Sequence, residues 1–182
     1  MQQQEGMKRD SWRNFLPLNY KDFNGKVNSI KSLNATGAMI LFENFEPRLF
    51  VGVDQLQTTG GVKVSIGDGG LFQQNMQGLV NADDSLEYGT SISSRAVVNT
   101  PFGLFYVSQK TGKVLNYTDR LNDISQIGMK HWFAEHLPSK LLQVYPEYPL
   151  YDNPVKGIGV QAIYDSIFDL LYITKKDYKP LS

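Results

Sequence analysis

The sequence AVVNTPFGLFYVSQKTGKVLNYT, residues 96–118, contains three short apolar segments separated by the polar turns NTPFG and QKTG. The apolar segments are residues 96–98, 104–107 and 113–117. Valine, phenylalanine and tyrosine suit a half-buried pleated surface, and Pro101, Gly103 and Gly112 supply the backbone angles that reversals need. The stretch therefore predicts a three-stranded antiparallel meander, and none of its residues has an evident catalytic task.

The chain before this meander repeats the same pattern of short apolar segments and turn residues. Strands are predicted at residues 26–30, 37–42, 48–53 and 62–66. The last of these follows the turn TTGG and alternates strictly, which is typical of a hairpin with Val62, Val64 and Ile66 on one face. Residues 71–94 have weak periodicity and are interpreted as a long connection with at most one or two helical turns.

One helical segment follows the meander. Ser125 is a suitable N-cap, and apolar residues then recur at a spacing of three to four. Pro138 divides this segment, so we expect one helix over residues 126–136 and a shorter one over residues 139–144. The connector YPEYPLYDNP follows at residues 145–154.

The C-terminal part predicts two more strands, residues 160–164 and 169–174, and they belong to a weak internal repeat. Residues 97–108 align on residues 162–174 with one extra residue, and residues 48–51 are a poorer copy. Repeated meanders are typical of propeller blades, each of which needs a neighbour to bury its face. The residues after Thr174 are too polar to supply two further strands, so this last repeat is incomplete.

These patterns predict a mainly β protein of antiparallel meanders, propeller-like or part of a propeller, with one helical insertion. The expected divisions are an N-terminal arm, a β-meander region, the helical insertion and a C-terminal connector with the incomplete repeat. Their boundaries are residues 1–24, 25–124, 125–145 and 146–182.

The composition narrows the classes of function. The 182 residues contain 18 Lys plus Arg and 18 Asp plus Glu, so no overall charge favours nucleic acid or an anionic membrane. The absence of cysteine excludes disulfides and thiol nucleophiles. The apolar segments are too short to span a membrane, and MQQQEGMKRD is not a secretory signal. We expect a soluble protein made in a cytoplasm.

Three groups of residues invite a chemical interpretation. His131 and Glu135 share a helix face, but His136 points about a hundred degrees away, which favours a solvated or core-edge role over a metal site. The acidic residues Asp83, Asp84 and Glu87 match no standard calcium loop, and GDGG at residues 67–70 lacks the Lys-Ser/Thr pair of a phosphate loop. Polar turns are the preferred interpretation, and no cofactor is expected.

Exposed aromatic residues are the candidates for an interaction surface, because rigid rings give contact area at low entropic cost. Tyrosines between the prolines of the connector form either a docking surface or a cover for the sheet. The candidate interface residues are Tyr145, Tyr148, Tyr151, Trp132 and Tyr172.

Roughly half of the chain resembles a known family. SRAVVNTPFGLFYVSQKTGKVLNYT, ISQIGMKHWFAEHLPSKLL and DNPVKGIGVQAIYDSIFDLLYITKKDYKP are similar to nozzle, muzzle or stabilisation proteins of short-tailed and crAss-like bacteriophages. The most specific parts are GMKHWF and YDSIFDLLYITKKDY. The resemblance implies a non-enzymatic β-propeller or related β-rich domain in the virion tail. It further implies a ring of subunits under the portal and adaptor that helps to form the DNA conduit, retaining DNA and then releasing it.

Two other functions are compatible with the sequence. A glycan-binding module of a phage receptor-binding protein would stack Trp132 and the exposed tyrosines on sugars. A hydrolase would need carboxylates such as Asp68, Asp83 and Glu87 to converge across a cleft.

Overall fold

A computed structural model of the chain describes a β-rich body with one short helix. The described residues are 20–33, 37–43, 46–51, 55–57, 63–65, 76–79, 89, 91, 93–137 and 159–176. Their strands are β1 Val27–Ser32, β2 Gly37–Phe42, β3 Arg48–Val51, β4 Gln55–Gln57, β5 Lys63–Ser65, β6 Gln77–Gly78, β7 Val97–Thr100, β8 Gly103–Ser108, β9 Lys113–Tyr117, β10 Leu121–Asp123, β11 Gly159–Asp165 and β12 Leu170–Lys176. A 3-10 helical turn spans Ile124–Gln126, and helix α1 spans Lys130–His136.

All strand pairs in this part of the chain are antiparallel. The first sheet has the order β1-β2-β3-β6 and the second β10-β9-β8-β7, while β4-β5 and β11-β12 form separate hairpins. The predicted meander is confirmed as β7, β8 and β9, and β10 adds a fourth strand that the sequence analysis missed. The predicted strand at residues 37–42 and the two C-terminal strands are also confirmed, as is the strand predicted at residues 48–53 over its described part, Arg48–Val51.

The two four-stranded sheets pack face to face around the main core. Alternate residues of β8 and β9 point to opposite faces, so Leu104, Tyr106 and Leu115 meet Met39 and Leu41 of the first sheet. All five are completely buried. This apolar layer stabilises the packing of the two sheets.

Other parts of the chain pack against the outer face of each sheet. On the second sheet, Val107 and Val114 pack against Leu137 at the end of α1 and Val160 of β11. On the first sheet, Phe23 packs edge-on against Phe42 and Phe50, with ring centroids 5.9 and 6.0 Å apart. Helix α1 and the β11-β12 hairpin therefore lie on the same side of the second sheet.

The start of the helix differs from the prediction. Ser125 is not its N-cap, because the Asp123 carboxylate accepts the Ser125 N–H at 3.0 Å and closes the 3-10 turn instead. Gly128, with φ +90°, then separates this turn from α1, which begins at Lys130 without a side-chain cap. The expected helix over residues 126–136 is therefore shortened to seven residues. The second expected helix, residues 139–144, lies outside the described residues.

Two other details of the prediction need correction. The connection at residues 71–94 includes strand β6, which pairs with β3, so the helical-turn alternative is wrong at residues 76–79. The strand predicted after the TTGG sequence pairs as β5 with β4, Gln55–Gln57, and the TTGG residues themselves lie outside the described residues. The described residues form antiparallel sheets without a closed barrel or a closed propeller.

A buried polar cluster ties the β11-β12 hairpin to the second sheet. The side-chain oxygen of Gln109 accepts the Ser93 N–H at 3.0 Å, and the Ser93 hydroxyl accepts the Val160 N–H at 3.2 Å. The Ala162 N–H also donates to the Arg95 carbonyl at 2.9 Å. Because Ser93 and Gln109 are buried, each of these groups needs its partner.

Replacing Gln109 by alanine should lower the free energy of unfolding by about 1 to 3 kcal/mol, since the buried Ser93 N–H loses its acceptor. Chemical denaturation followed by circular dichroism measures the change. Gln126→Ala is the matched control, because the Gln126 side chain is exposed and should change stability by less than about 0.5 kcal/mol. Equal losses in the two variants would contradict the role assigned to this cluster.

Candidate interaction surface

The β11-β12 hairpin has two faces of different character. Its strands pair without a break from Gly159 opposite Lys176 to Asp165 opposite Leu170. Val160 and Ile173 point towards the second sheet and join the apolar cluster there. The opposite face points away from the body of the protein.

This outer face is apolar. Ile163 lies opposite Tyr172, and Leu170 lies opposite Asp165, so these apolar side chains share one face. They are 66% (Ile163), 47% (Leu170) and 47% (Tyr172) exposed. A hairpin with apolar side chains on both faces has the composition of a strand pair buried on both sides.

The tip of the hairpin is held in a defined turn. The Asp165 carboxylate accepts the backbone N–H groups of Ile167 and Phe168 at 2.8 and 3.4 Å. The Tyr164 hydroxyl donates to Asp169 at 2.5 Å, and Asp169 adopts a left-handed conformation with φ +54°. The hydrogen bond to Asp169, assisted by desolvation and the neighbouring carboxylate charges, raises the pKa of Tyr164.

The turn presents two large apolar side chains to solvent. Ile167 is 83% exposed and Phe168 is 69% exposed. The ring of Tyr164 also contacts Phe102 in the β7-β8 turn, edge-on at 6.4 Å, and Phe102 is itself exposed. An ordered turn with polar residues inside and apolar residues outside is typical of a segment that docks on another surface.

A groove lies beside the base of the same hairpin. It runs between β11, the edge strand β1 and the start of β7, and has a volume of about 370 Å³. Its lining combines apolar residues with two cationic ones. The residues that matter for its chemistry are Lys31, Arg95, Val97, Ala162, Ile163 and Thr174.

Helix α1 carries a second group of exposed apolar residues. Trp132 is half-exposed and stacks on His136, with ring centroids 4.7 Å apart and planes 10° apart. Ile127 and Met129, just before the helix, are also exposed. This group rests on the same side of the second sheet as the hairpin.

The structure locates two of the five predicted interface residues. Trp132 is exposed on α1 and Tyr172 on the outer face of β12, but the structure does not bring them into contact with each other. Tyr145, Tyr148 and Tyr151 lie outside the described residues.

The sequence analysis missed the more exposed apolar residues of the hairpin. These are Ile163, Ile167, Phe168 and Leu170. A signal was present in the sequence, because residues 170–173 are apolar at every position, so a strand there presents apolar side chains on both of its faces.

The residues considered for chemistry do not form a site in the described part of the chain. His131, Glu135 and His136 are exposed on α1, and His136 Nδ1 lies 2.9 Å from the Trp132 carbonyl oxygen. Among the described residues there is no group of three potential metal ligands. Residues 67–70, Asp83, Asp84 and Glu87 lie outside the described residues.

Within the same described ranges, no helix has the length and apolar character needed to cross a bilayer. The antiparallel sheets and the apolar side chains exposed on the helix and hairpin that cover them define a mainly β protein with an apolar surface patch. A profile of the Crassvirus muzzle protein family matches residues 3–179. The chain belongs to this family, which confirms the resemblance found in the sequence and makes the chain a structural tail protein of a phage virion. No individually curated protein matches the sequence.

Proposed function

We propose that the chain is a subunit of a homo-oligomeric ring in the phage tail, where it helps to form the conduit for DNA below the portal and adaptor. The single observation that carries this proposal is the β11-β12 hairpin, whose outer face and tip expose five large apolar side chains. Such a surface costs free energy in water and is stabilised when neighbouring polypeptide covers it.

The sheet topology supports a blade-like role for the meanders. Two four-stranded antiparallel sheets packed face to face have the form of adjacent propeller blades, and the β11-β12 hairpin has the form of half a blade. We propose that neighbouring polypeptide completes this half. The residues proposed to contact neighbours include Trp132 and Tyr172, with Tyr145, Tyr148 and Tyr151 of the connector.

The balanced charge of the chain determines how strongly a conduit built from it would bind DNA. With 18 basic and 18 acidic residues, the protein lacks the excess of cations that binds phosphates tightly. A ring of such subunits retains DNA by closing the channel, and the low affinity for the duplex permits its release during ejection.

The isolated chain should be oligomeric or poorly soluble. Light scattering coupled to size-exclusion chromatography measures the mass of the soluble fraction across a dilution series. We expect a mass several times that of the 20.6 kDa chain, because the exposed hairpin finds partners on other copies. A monomer with a cooperative melt in dilute solution would count against the ring.

A glycan-binding module is the second candidate, and the half-exposed Trp132 and Tyr172 are the observations that favour it. Exposed aromatic rings stack on sugar faces as they do on protein partners. A glycan array probed with the whole chain tests this function, and binding that is lost in Trp132→Ala and Tyr148→Ala would replace the structural proposal.

A further inference from the structure

We propose that the hairpin tip, Ile167 and Phe168, of one copy inserts into the groove between β1 and β11 of the next copy. This inference rests on the proposed ring, and the tip and the groove are the two surfaces that would join its subunits. It is a head-to-tail contact, because the tip and the groove are different surfaces of the same chain.

The tip has the properties of an inserting element. Its backbone is fixed by the Asp165 carboxylate and by the left-handed Asp169, so little conformational entropy remains to be lost on docking. The two side chains at its end are the most exposed large apolar residues of the hairpin, at 83% and 69%. An aromatic or aliphatic anchor of this kind dominates the binding free energy when it fills a pocket.

The groove has the size and composition to receive such an anchor. Its volume of about 370 Å³ exceeds that of one large side chain, and Val97, Ala162 and Ile163 supply apolar lining. Thr174 adds a hydroxyl at the edge. The groove is therefore a receptor for an apolar side chain with polar flanks.

The charges around the two surfaces are complementary. Asp165 and Asp169 flank the apolar tip, whereas Lys31 and Arg95 flank the groove. Within the described residues, none of these four side chains has an oppositely charged group within 4.0 Å. Bringing tip and groove together pairs two anions with two cations, which sets the orientation of the contact.

The tip does not occupy the groove of its own chain. Ile167 and Phe168 are exposed in the turn, which begins two strand residues, about 7 Å, beyond the groove residue Ile163. Because the tip leaves the groove of its own chain open, the groove of another copy is available to it. Such heterologous contacts produce rings when the rotation closes.

The acidic flanks also argue against a lipid surface as the occupant. Anionic headgroups repel Asp165 and Asp169, whereas they attract the basic residues that usually surround membrane-inserted side chains. The partner that these charges favour is a protein surface with basic residues around an apolar groove, and this chain carries one.

Two pairs of substitutions test the contact in the whole chain. Ile167→Ser with Phe168→Ser removes the tip, and Lys31→Glu with Arg95→Glu reverses the charge of the groove. We expect the tip pair to weaken self-association about thirtyfold or more, and the groove pair about tenfold or more, in sedimentation velocity. The milder Ile167→Ala with Phe168→Ala provides a second variant if the serine pair lowers stability.

Matched controls carry the same chemical changes on other exposed residues. Tyr20→Ser with Ile30→Ser removes two exposed apolar side chains outside the proposed contact, and Lys110→Glu with Lys130→Glu makes the same change in charge. Neither control should change the association constant by more than about twofold. A control pair that dissociates the oligomer while the tip pair does not would overturn the proposal.

Mixing the two defective variants tests the head-to-tail geometry. The tip variant retains a groove and the groove variant retains a tip, so the mixture should form a heterodimer with one intact contact and no larger species. A contact that pairs tip with tip, or groove with groove, would not be restored in this way. Failure to form the heterodimer would therefore overturn the proposed geometry.

Cysteine substitutions provide an independent measurement, because the chain contains no native cysteine. Ile167→Cys together with Thr174→Cys should give a ladder of cross-linked species with a short bismaleimide, whereas either cysteine alone should give little cross-linked dimer, because the contact places residue 167 beside residue 174. A single-cysteine variant that dimerises as efficiently as the double variant cross-links, or a double variant without a ladder, would contradict the contact.

The outcomes separate this inference from the proposed function. A wild-type chain that remains monomeric at about 100 µM would overturn both the ring and the contact. An oligomer that both variants leave intact would overturn only the contact, because another surface then builds the assembly. Flotation with phosphatidylglycerol vesicles that is lost in the tip variant would replace the protein partner by a lipid surface.

Discussion

Leu104→Ala should lower the free energy of unfolding by about 3 kcal/mol, because the truncation leaves a cavity between the two sheets. The Leu104 side chain is completely buried and belongs to the same apolar cluster as Met39, Tyr106 and Leu115. Its neighbours come from both sheets, so they cannot all move into the space. Urea unfolding at one fixed protein concentration measures the loss, since association adds to the apparent stability.

The control for this substitution is Ile30→Ala on the edge strand β1. Ile30 is 57% exposed, so its truncation removes apolar surface that is largely in water already, and we expect a loss below about 1 kcal/mol. Similar losses at Leu104 and Ile30 would show that the space between the sheets is not the main core.

Gly112→Ala should cost about 2 to 4 kcal/mol, since it combines backbone strain with a steric clash. Gly112 has φ +65°, and a Cβ atom there would lie 2.8 Å from the Ala134 Cα atom and 3.1 Å from the Phe133 carbonyl oxygen. Both neighbours are backbone atoms of α1, so the helix must shift away from the β8-β9 turn. Thermal unfolding and near-ultraviolet circular dichroism report this displacement.

Gly128→Ala separates the two causes. Gly128 also has a positive φ, +90°, but a Cβ atom there would meet nothing within 4 Å. This variant should show only the backbone cost, about 1 to 2 kcal/mol. If Gly112→Ala destabilised the protein no more than Gly128→Ala, the close approach of α1 to the turn would make no contribution to stability.

The central meander could be predicted because its signals are local. Alternating apolar residues specify the two faces of β8 and β9, and Gly103 and Gly112 occupy turn positions with positive φ. Strand β10 could not be predicted in the same way. Leu121 is its one apolar residue, and the strand exists because its backbone pairs with β9.

The start of α1 shows a competition between two local signals. Ser125 has the properties of an N-cap, but Asp123 lies two residues earlier and its carboxylate accepts the Ser125 N–H. The apolar spacing of residues 127–133 then suggested a helix through Gly128, where the backbone instead turns with positive φ. The sequence pattern predicted that a helix is present but placed its first residue too early.

The exposed apolar surface could be predicted only in part. Tyr172 and Trp132 were predicted as interface residues because aromatic residues are common at interfaces, and both are exposed in the structure. Ile167 and Phe168 belong to the predicted incomplete repeat, but the repeat pattern does not show that the turn exposes their side chains. The groove could not be found from sequence patterns at all, since Lys31, Arg95 and Ala162 come from distant parts of the chain.

The polar cluster that attaches the hairpin has a consequence for biosynthesis. Val160 reaches back 67 positions to Ser93, and Val160 and Ile173 cover an outer face of the second sheet formed by residues near Val107 and Val114. A nascent chain can complete its meander soon after those strands leave the ribosome, but the part of this face that Val160 and Ile173 cover stays exposed until the hairpin has been translated. The interval exposes valines to misassembly, and slower elongation over the connecting codons would lengthen it.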